Sequence, residues 1–282
     1  IRTINHSGEL NQIATPYFPE TPASAIAKIQ PYKDSLLVLS NHYLGVFHDK
    51  RLDTTAITKV TQTFCILGDS LILGCRYHLY IRSLGEKKMV DEIALKDVCS
   101  AVCVFQDEIL IGSINGLFKI EQDSVTHKFP AWPIFESRVS SIENYQNNTL
   151  IVGTIGKGLL LYRDGHFVNL NESNSACPNI INQLLLVNDE LWLGTNRGLF
   201  RLRERQTGTI SITQFSRANG LPHEEIYFMA KAGDRFWAGN KNELFLFETD
   251  DVLNSTVAPP VFIQDIELAG KKMPAFKPVK DL

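Results

Sequence analysis

One six-residue pattern recurs along the chain: a polar residue, three apolar residues, a glycine and a small or polar residue. The clearest copies are Glu190–Thr195 and Arg235–Asn240, and weaker ones span 149–154, 108–113, 70–75 and 35–40. A leucine follows each copy, at Leu44, Leu79, Leu117, Leu159, Leu199 and Leu244. Their spacing of 35 to 45 residues is close to the roughly 40–45 residues of a four-stranded propeller blade.

Each repeat predicts four strands, a to d. Strand a precedes the pattern, as in Val139–Tyr145, Ile181–Val187 and Ile226–Lys231, and the pattern itself is strand b. Strand c follows a glycine turn, as in Leu159–Tyr162, Leu199–Leu202 and Leu244–Phe247, and the more polar strand d follows, as in His166–Leu170 and Ile210–Phe215. Turn signals every 8–12 residues, without helical periodicity, are typical of an all-β protein. The predicted fold is a β-propeller of four-stranded antiparallel blades.

The two ends of the chain depart from the repeat. Six repeats run from about residue 24 to 254 within a propeller predicted over 1–257, and residues 1–23 match the outer strands of a further blade. A proline pair, Pro259 and Pro260, interrupts the pattern, and a new alternating strand follows. We therefore expect 258–282 to form a linker and the first strand of another domain, and the chain to be cut at both ends.

Charge and composition exclude several classes of protein. The net charge is −3 with dispersed Lys and Arg, unlike the clustered positive charge of a nucleic-acid-binding surface. The seven histidines and five cysteines lack metal-ligand spacing, so neither a metal nor a cofactor is expected. Residues 68–71 read Gly-Asp-Ser-Leu, a hydrolase signature, but they fall at an a–b corner of the repeat. A catalytic serine also needs a base within hydrogen-bond reach.

In an antiparallel blade the chain reverses direction at each connection, so the d–a loops and the b–c turns are expected on one face of the propeller. The longer loops there are 129–138, 171–179 and 216–224. Aromatic rings together with Arg and Asn suit an acidic or neutral sugar, by stacking on the ring and by donating to hydroxyls or carboxylates. The candidate ligand-binding residues on this face are Arg76, Tyr77, His78, Trp132, Arg138, Asn196, Arg197, Arg217, His223 and Lys241.

Two tryptophans are expected in the core instead. Trp192 and Trp237 occupy the third position of strand b, where other copies have isoleucine or leucine. Apolar neighbours flank both residues along the strand. This pattern predicts rings packed between blades rather than stacking surfaces for a ligand.

Several segments resemble the two-component regulator propeller repeat. These are residues 215–226 with their Gly-Leu-Pro loop, then Phe236–Gly239 and Leu244–Phe247; Leu191–Thr195 and Gly198–Phe200 match closely. The tail from Pro259 through Lys271 is similar to the opening of a three-tyrosine (Y-Y-Y) domain. The likeness covers roughly residues 24–275, and the first two repeats depart from it, with Leu39 and Ser40 in place of Gly-Thr.

The resemblance implies a role in signal transduction. Such propellers form the periplasmic sensor half of hybrid histidine kinases in Bacteroides-like bacteria, which detect glycan fragments and regulate transcription through a phosphorelay. It implies seven-bladed units, an oligosaccharide ligand, contacts with other domains of the same membrane sensor, a homodimer, and no enzyme activity in this segment. It implies no contact of this segment with nucleic acid. The alternatives left open are a protein-interaction scaffold and a propeller glycan lyase or hydrolase.

Overall fold

The computed structural model describes residues 2–4, 10–12, 26–32, 35–40, 43–48, 51–56, 61–85, 89–122, 124–146, 148–187, 189–204, 209–215, 225–232, 235–240, 244–248, 266–268 and 271–273. Five four-stranded antiparallel sheets and one of three strands follow each other along the described chain. Each sheet has its strands in chain order from one edge to the other. We number these six sheets as blades 1 to 6 and keep the letters a to d for their strands.

The strands of the six blades are as follows. Blade 1 contains β3–β6: Ile26–Tyr32, Ser35–Ser40, Tyr43–His48 and Arg51–Ala56. Blade 2 contains β7–β10: Thr61–Leu67, Ser70–Cys75, His78–Ser83 and Met89–Ala94. Blade 3 contains β11–β14: Ala101–Phe105, Glu108–Ser113, Gly116–Glu121 and Ser124–His127. Blade 4 contains β15–β18: Val139–Tyr145, Thr149–Thr154, Leu159–Arg163 and His166–Leu170. Blade 5 contains β19–β22: Ile181–Val187, Glu190–Thr195, Gly198–Glu204 and Ile210–Phe215. Blade 6 contains β23–β25: Phe228–Ala232, Arg235–Gly239 and Leu244–Glu248.

These sheets confirm the predicted fold class and the alignment of the repeat. All six copies of the pattern form strand b, and each pairs antiparallel with the strand c that follows it. Most strand ends lie within one or two residues of their predicted positions, and the largest shift of a strand start is in β23, which begins at Phe228 and not at Ile226. The backbone N–H of Ile226 donates instead to the carbonyl of Thr195 in blade 5, at 2.8 Å. A hydrogen bond to the neighbouring blade thus delays the start of this strand.

Two short hairpins lie at the ends of the chain. β1 (Arg2–Ile4) pairs with β2 (Leu10–Gln12), and β26 (Ile266–Leu268) pairs with β27 (Lys271–Met273), both antiparallel. The fourth strand of blade 6 and the linker expected from residue 258 lie outside the described residues. The seventh blade, the domain boundaries and the Y-Y-Y domain stay predictions.

Consecutive blades pack face to face through the third position of strand b. Leu110 of blade 3 lies in one cluster with Leu150 and Val152 of blade 4. Ile151 of blade 4 packs in the same way with the strand b of blade 5. The inner strands β7, β11, β15 and β19 contact each other in turn. The core is therefore a series of layers between blades rather than one central cluster.

The glycine of the repeat is required by the next blade. A Cβ atom on Gly112 would lie 2.4 Å from Val139 Cγ1, at the start of the following strand a. A Cβ atom on Gly153 would lie 2.9 Å from Ile181 Cγ2, at the equivalent place one blade later. The close approach of adjacent blades explains why this position of the pattern is small.

Side chains at the start of strand a also join the blades through hydrogen bonds. Ser140 Oγ donates to the carbonyl of Ile181 at 2.5 Å, and Asn182 Nδ2 donates to the carbonyl of Ile226 at 2.9 Å. Ser100 Oγ makes the same kind of bond to Val139 at 2.6 Å. Each bond supplies a partner to a carbonyl on the inner edge of the next blade, where an unpaired carbonyl would cost free energy.

The prediction of two core tryptophans is confirmed for one of them. Trp192 has no exposed surface and packs with Phe236 and Ala238 of blade 6. Trp237, at the same position of blade 6, is only partly buried. Trp192 is covered by blade 6, whereas the strands expected to cover Trp237 belong to the predicted seventh blade.

Gly116 allows a test of the b–c turn. Its φ is +121°, and a Cβ atom there would lie 2.4 Å from the carbonyl oxygen of Phe135 in the following loop. Gly156 has a similar φ of +113° with no atom within 4 Å of its Cβ position. We expect Gly156→Ala to cost about 1–2 kcal/mol through backbone strain. Gly116→Ala is expected to cost about 1–3 kcal/mol more through overpacking.

Denaturant unfolding of the two glycine variants measures the difference. Equal losses of unfolding free energy would contradict the argument, since they would mean that the loop after blade 3 moves away without cost.

Candidate ligand-binding face

The d–a loops and b–c turns lie together on one face, as the strand count predicts. The backbone N–H groups of Gly156 and Gly158 both donate to the carbonyl of Asn179, at 2.8 and 2.9 Å. Ile155 N donates to the carbonyl of Arg138, and Leu95 N to that of Tyr77. These bonds join the b–c turn of one blade to the d–a connection beside it. We call this surface the loop face.

The b–c turn of blade 2 presents one open aromatic ring. Tyr77 is 48% exposed, and the guanidinium of Arg76 lies 5.6 Å from its ring centroid. His78 is already engaged, since it stacks on Tyr80 at 5.9 Å and its Nε2 lies 3.6 Å from Glu92 Oε1. Arg76 and Tyr77 are therefore the members of this turn that are open to a ligand.

Trp132 packs in an aromatic cluster at the base of the loop between blades 3 and 4. Its ring centroid lies 5.4 Å from Phe129, 5.2 Å from Phe167 and 5.8 Å from Tyr162. A single 3-10 turn, Pro133–Glu136, follows directly. Much of the ring therefore serves packing, and a contact between Trp132 and a ligand stays a prediction. Arg138, at the end of this loop, is exposed.

The b–c turn of blade 5 contains the next two candidates. Arg197 is exposed, and its Nη1 lies 3.4 Å from Glu172 Oε1 in the d–a loop between blades 4 and 5. Asn196 Oδ1 is buried without a hydrogen-bond partner among the described residues. The remaining candidates, Arg217, His223 and Lys241, lie outside the described residues.

The structure contains a cleft that the sequence did not predict. It lies between blades 2 and 3 on the loop face, with a volume of about 300 Å³. Leu95, Ile111 and Val125 form its apolar base. Phe118 and His127 line one side, with ring centroids 4.3 Å apart. The hydrogen bond from Leu95 to Tyr77 places the cleft beside the b–c turn of blade 2.

A fixed carboxylate lies in this cleft. Asp97 Oδ2 accepts hydrogen bonds from Ser113 Oγ at 3.0 Å and from Asn115 Nδ2 at 2.7 Å. Its Oδ1 accepts from the backbone N–H of Val98 at 2.8 Å. Lys96 also lines the cleft and is exposed. Apolar surface with a few convergent polar groups is what a small-molecule site requires.

A second cleft opens on the opposite face, between blades 4 and 5, with a volume of about 320 Å³. Arg163 and Glu204 line it and form a bidentate pair, at 2.8 and 2.6 Å. This hydrogen bonding raises the pKa of Arg163 and lowers that of Glu204. The two charges satisfy each other, so this pair joins two blades rather than offering a free charge to a ligand.

One carboxyl group and two thiols lie at equivalent positions of the inner strands, which are the a strands of their blades. Glu143, Cys65 and Cys103 each lie opposite the third residue of strand b in blades 4, 2 and 3. Burial raises the pKa of Glu143 to about 7, and the charge of Lys28 opposes that shift. Burial also raises the pKa of both thiols to about 12, so they stay protonated at neutral pH.

The described residues also bear on metal binding, on the Gly-Asp-Ser-Leu segment and on membrane spans. No group of three His, Cys, Asp or Glu side chains there could hold a metal ion. The Gly-Asp-Ser-Leu segment forms the tight a–b turn of blade 2, with Gly68 at a φ of +58° and Ser70 at the start of β8. None of the helical segments described has the length and apolar character of a membrane span.

Comparison with known proteins places the fold. No protein-family model and no curated protein matches the sequence. Among solved structures, two of the extracellular domain of BT4673 from B. thetaiotaomicron are similar. One is described as a one-component and the other as a hybrid two-component system. Each has 20% identity and a TM-score of 0.63 over 84% of this chain. The chain spans only 34% of the length of those structures.

An enzyme shares the architecture as well. Virginiamycin B lyase from Staphylococcus aureus is similar at 11% identity, with a TM-score of 0.58 over 80% of this chain and 84% of the lyase. A likeness at these identities establishes architecture, and propellers host many functions. The chain is therefore an all-β protein with the β-propeller fold shared by the extracellular domain of BT4673.

Proposed function

We propose that this chain is a ligand-sensing propeller of a periplasmic two-component receptor and that it binds an oligosaccharide on its loop face. The observation that carries the proposal is the cleft between blades 2 and 3, where an aromatic side meets a fixed carboxylate. An apolar face with hydroxyls around its edge, as in a sugar ring, is complementary to such a surface. The fold shared with the extracellular domain of BT4673 supports the same role.

Sensing requires binding without turnover. A bound sugar shifts the receptor between two arrangements only by the difference in its affinity for them. The propeller then acts as a rigid surface, and the signal arises where it meets its neighbouring domains or a second subunit. Phosphorelay and regulation of transcription belong to other parts of the receptor.

Calorimetry of the full chain against a panel of oligosaccharides tests the proposal. We expect a saturable heat with at least one glycan, and chromatography of the recovered sugar should show it unchanged. Cleaved or unsaturated products would indicate a glycan hydrolase or lyase instead. Saturable binding of a protein partner, with no binding to any sugar, would favour an interaction scaffold.

A further inference from the structure

The aromatic side of the cleft between blades 2 and 3 is held in place by the sheet. Phe118 on β13 and His127 on β14 are directly opposite each other in the antiparallel register. Both side chains are partly buried, and their rings contact each other with an interplanar angle of 32°. Cross-strand pairs of this kind are fixed by the strands that carry them. The cleft thus offers an aromatic side whose position is set by the sheet.

The polar side of the cleft is arranged before any ligand binds. Three donors already orient the Asp97 carboxylate: Ser113 Oγ, Asn115 Nδ2 and the backbone N–H of Val98. An ionised carboxylate has about four acceptor positions, so one remains for a hydroxyl donor. Asn115 is exposed at the same edge of the cleft. A hydroxyl group of a ligand therefore finds an oriented acceptor with an amide beside it.

The charges of the cleft and of the adjoining b–c turn of blade 2 together have a positive sum, because Lys96 and Arg76 lie beside the single carboxylate of Asp97. Asp97 is held by three neutral donors, and Lys96 is exposed and pairs with no carboxylate among the described residues. Arg76 lies exposed in the adjoining turn, with its guanidinium 5.6 Å from the centroid of the Tyr77 ring. Two exposed cations, Lys96 and Arg76, beside one hydrogen-bonded carboxylate favour an anionic group on the ligand.

We propose that this cleft binds a pyranose ring with an anionic substituent, a carboxylate or a sulfate. The proposal rests on the proposed function and narrows the class of its ligand. Phe118 and His127 contact the apolar face of the ring, and Asp97 accepts from a ring hydroxyl. Lys96 binds the anion at the rim, and Arg76 adds to the attraction.

The ligand itself provides the first test. Oligogalacturonate and its methyl ester have the same skeleton and differ in charge, so calorimetry with both isolates the contribution of the anion. We expect the acid to bind about tenfold more tightly, as one hydrogen bond between charged groups would give. A sulfated disaccharide, with its desulfated form as the control, distinguishes sulfate from carboxylate.

Substitution of the lysine provides the second test. Lys96→Gln is expected to lower the affinity for the preferred acidic sugar about tenfold and to leave that for its neutral counterpart unchanged. Lys157→Gln is the matched control, because Lys157 is an exposed lysine of the loop face in the b–c turn of blade 4. It should leave both affinities unchanged. Both lysines are exposed, so thermal unfolding is expected to show intact folding for each variant.

The outcomes separate the two proposals. If a neutral sugar binds as well as its acidic form, or if Lys96→Gln has no effect, the proposal of an anion-binding cleft is wrong. The proposal that the propeller senses a sugar is not affected by that result. If no saccharide in the panel binds at all, both proposals are wrong. An equal loss of affinity for the acidic sugar with Lys157→Gln would indicate general electrostatic attraction by the loop face. That result would also contradict the proposal of a specific site in this cleft.

Discussion

An alanine in place of Trp192 is expected to lower the free energy of unfolding by about 3–5 kcal/mol. The indole is fully buried between blades 5 and 6, where it packs against Phe236 at 4.7 Å and Phe215 at 5.5 Å between ring centroids. The guanidinium of Arg201 lies 5.7 Å from the same ring. Truncation would leave a cavity and would also remove the aromatic contact of a largely buried cation.

Trp237→Ala is the matched control for this variant. Trp237 has the same position in the repeat but keeps part of its surface exposed, so its truncation is expected to cost less. Denaturant unfolding measures both losses. A Trp192→Ala protein of full stability that no longer binds its ligand would show that Trp192 contacts the ligand and is not a core residue.

Stability is expected to fall as the pH rises through about 7 because of Glu143. Its pKa is raised from an ordinary value of 4.5 to about 7 in the folded protein. The folded state therefore holds this proton more tightly than the unfolded chain does. The stabilisation is fully present below pH 4.5 and is lost as the pH rises through 7. The loss amounts to about 3 kcal/mol between pH 4 and pH 9.

Glu143→Gln removes this titration while retaining the shape of the side chain. We expect the variant and the original protein to have similar unfolding free energies at pH 4 and to diverge as the pH rises from about 4.5 to about 7, with the variant more stable above pH 7. Every other titrating group is present in both proteins, so the difference isolates Glu143. A difference that does not change with pH would mean that solvent in the centre of the propeller stabilises the charged carboxylate.

The repeat was predictable because its causes are local in the sequence. Alternating turns and apolar strands specify the four-stranded unit, and positive φ at Gly116, Gly158 and Gly198 fits the predicted b–c turns. The strand count also placed Tyr77 and Arg197 on one face without any knowledge of their contacts. Antiparallel pairing alone determines which loops share a face.

The cleft was not predictable in the same way. Asp97 is 16 residues from Ser113 and 18 from Asn115 along the chain. Its d–a loop is also shorter than the loops 129–138, 171–179 and 216–224, on which the prediction of the ligand-binding face was based. No pattern in the sequence joins Phe118 and His127 to that carboxylate. They meet because the connection from blade 2 places Asp97 against the b–c turn of blade 3, where it bonds to Ser113 and Asn115.

The sequence by itself determined the blade, its strands and the face on which its loops lie. Only the tertiary structure decided which equivalent positions differ. Trp192 is fully buried because Phe236 and Ala238 of the next blade pack on it, and its own repeat does not contain these residues. Glu143 gains its raised pKa from burial among the inner strands. The physical reason is the same in each case: burial and desolvation of a residue are set by the blade packed against it, which belongs to a different repeat.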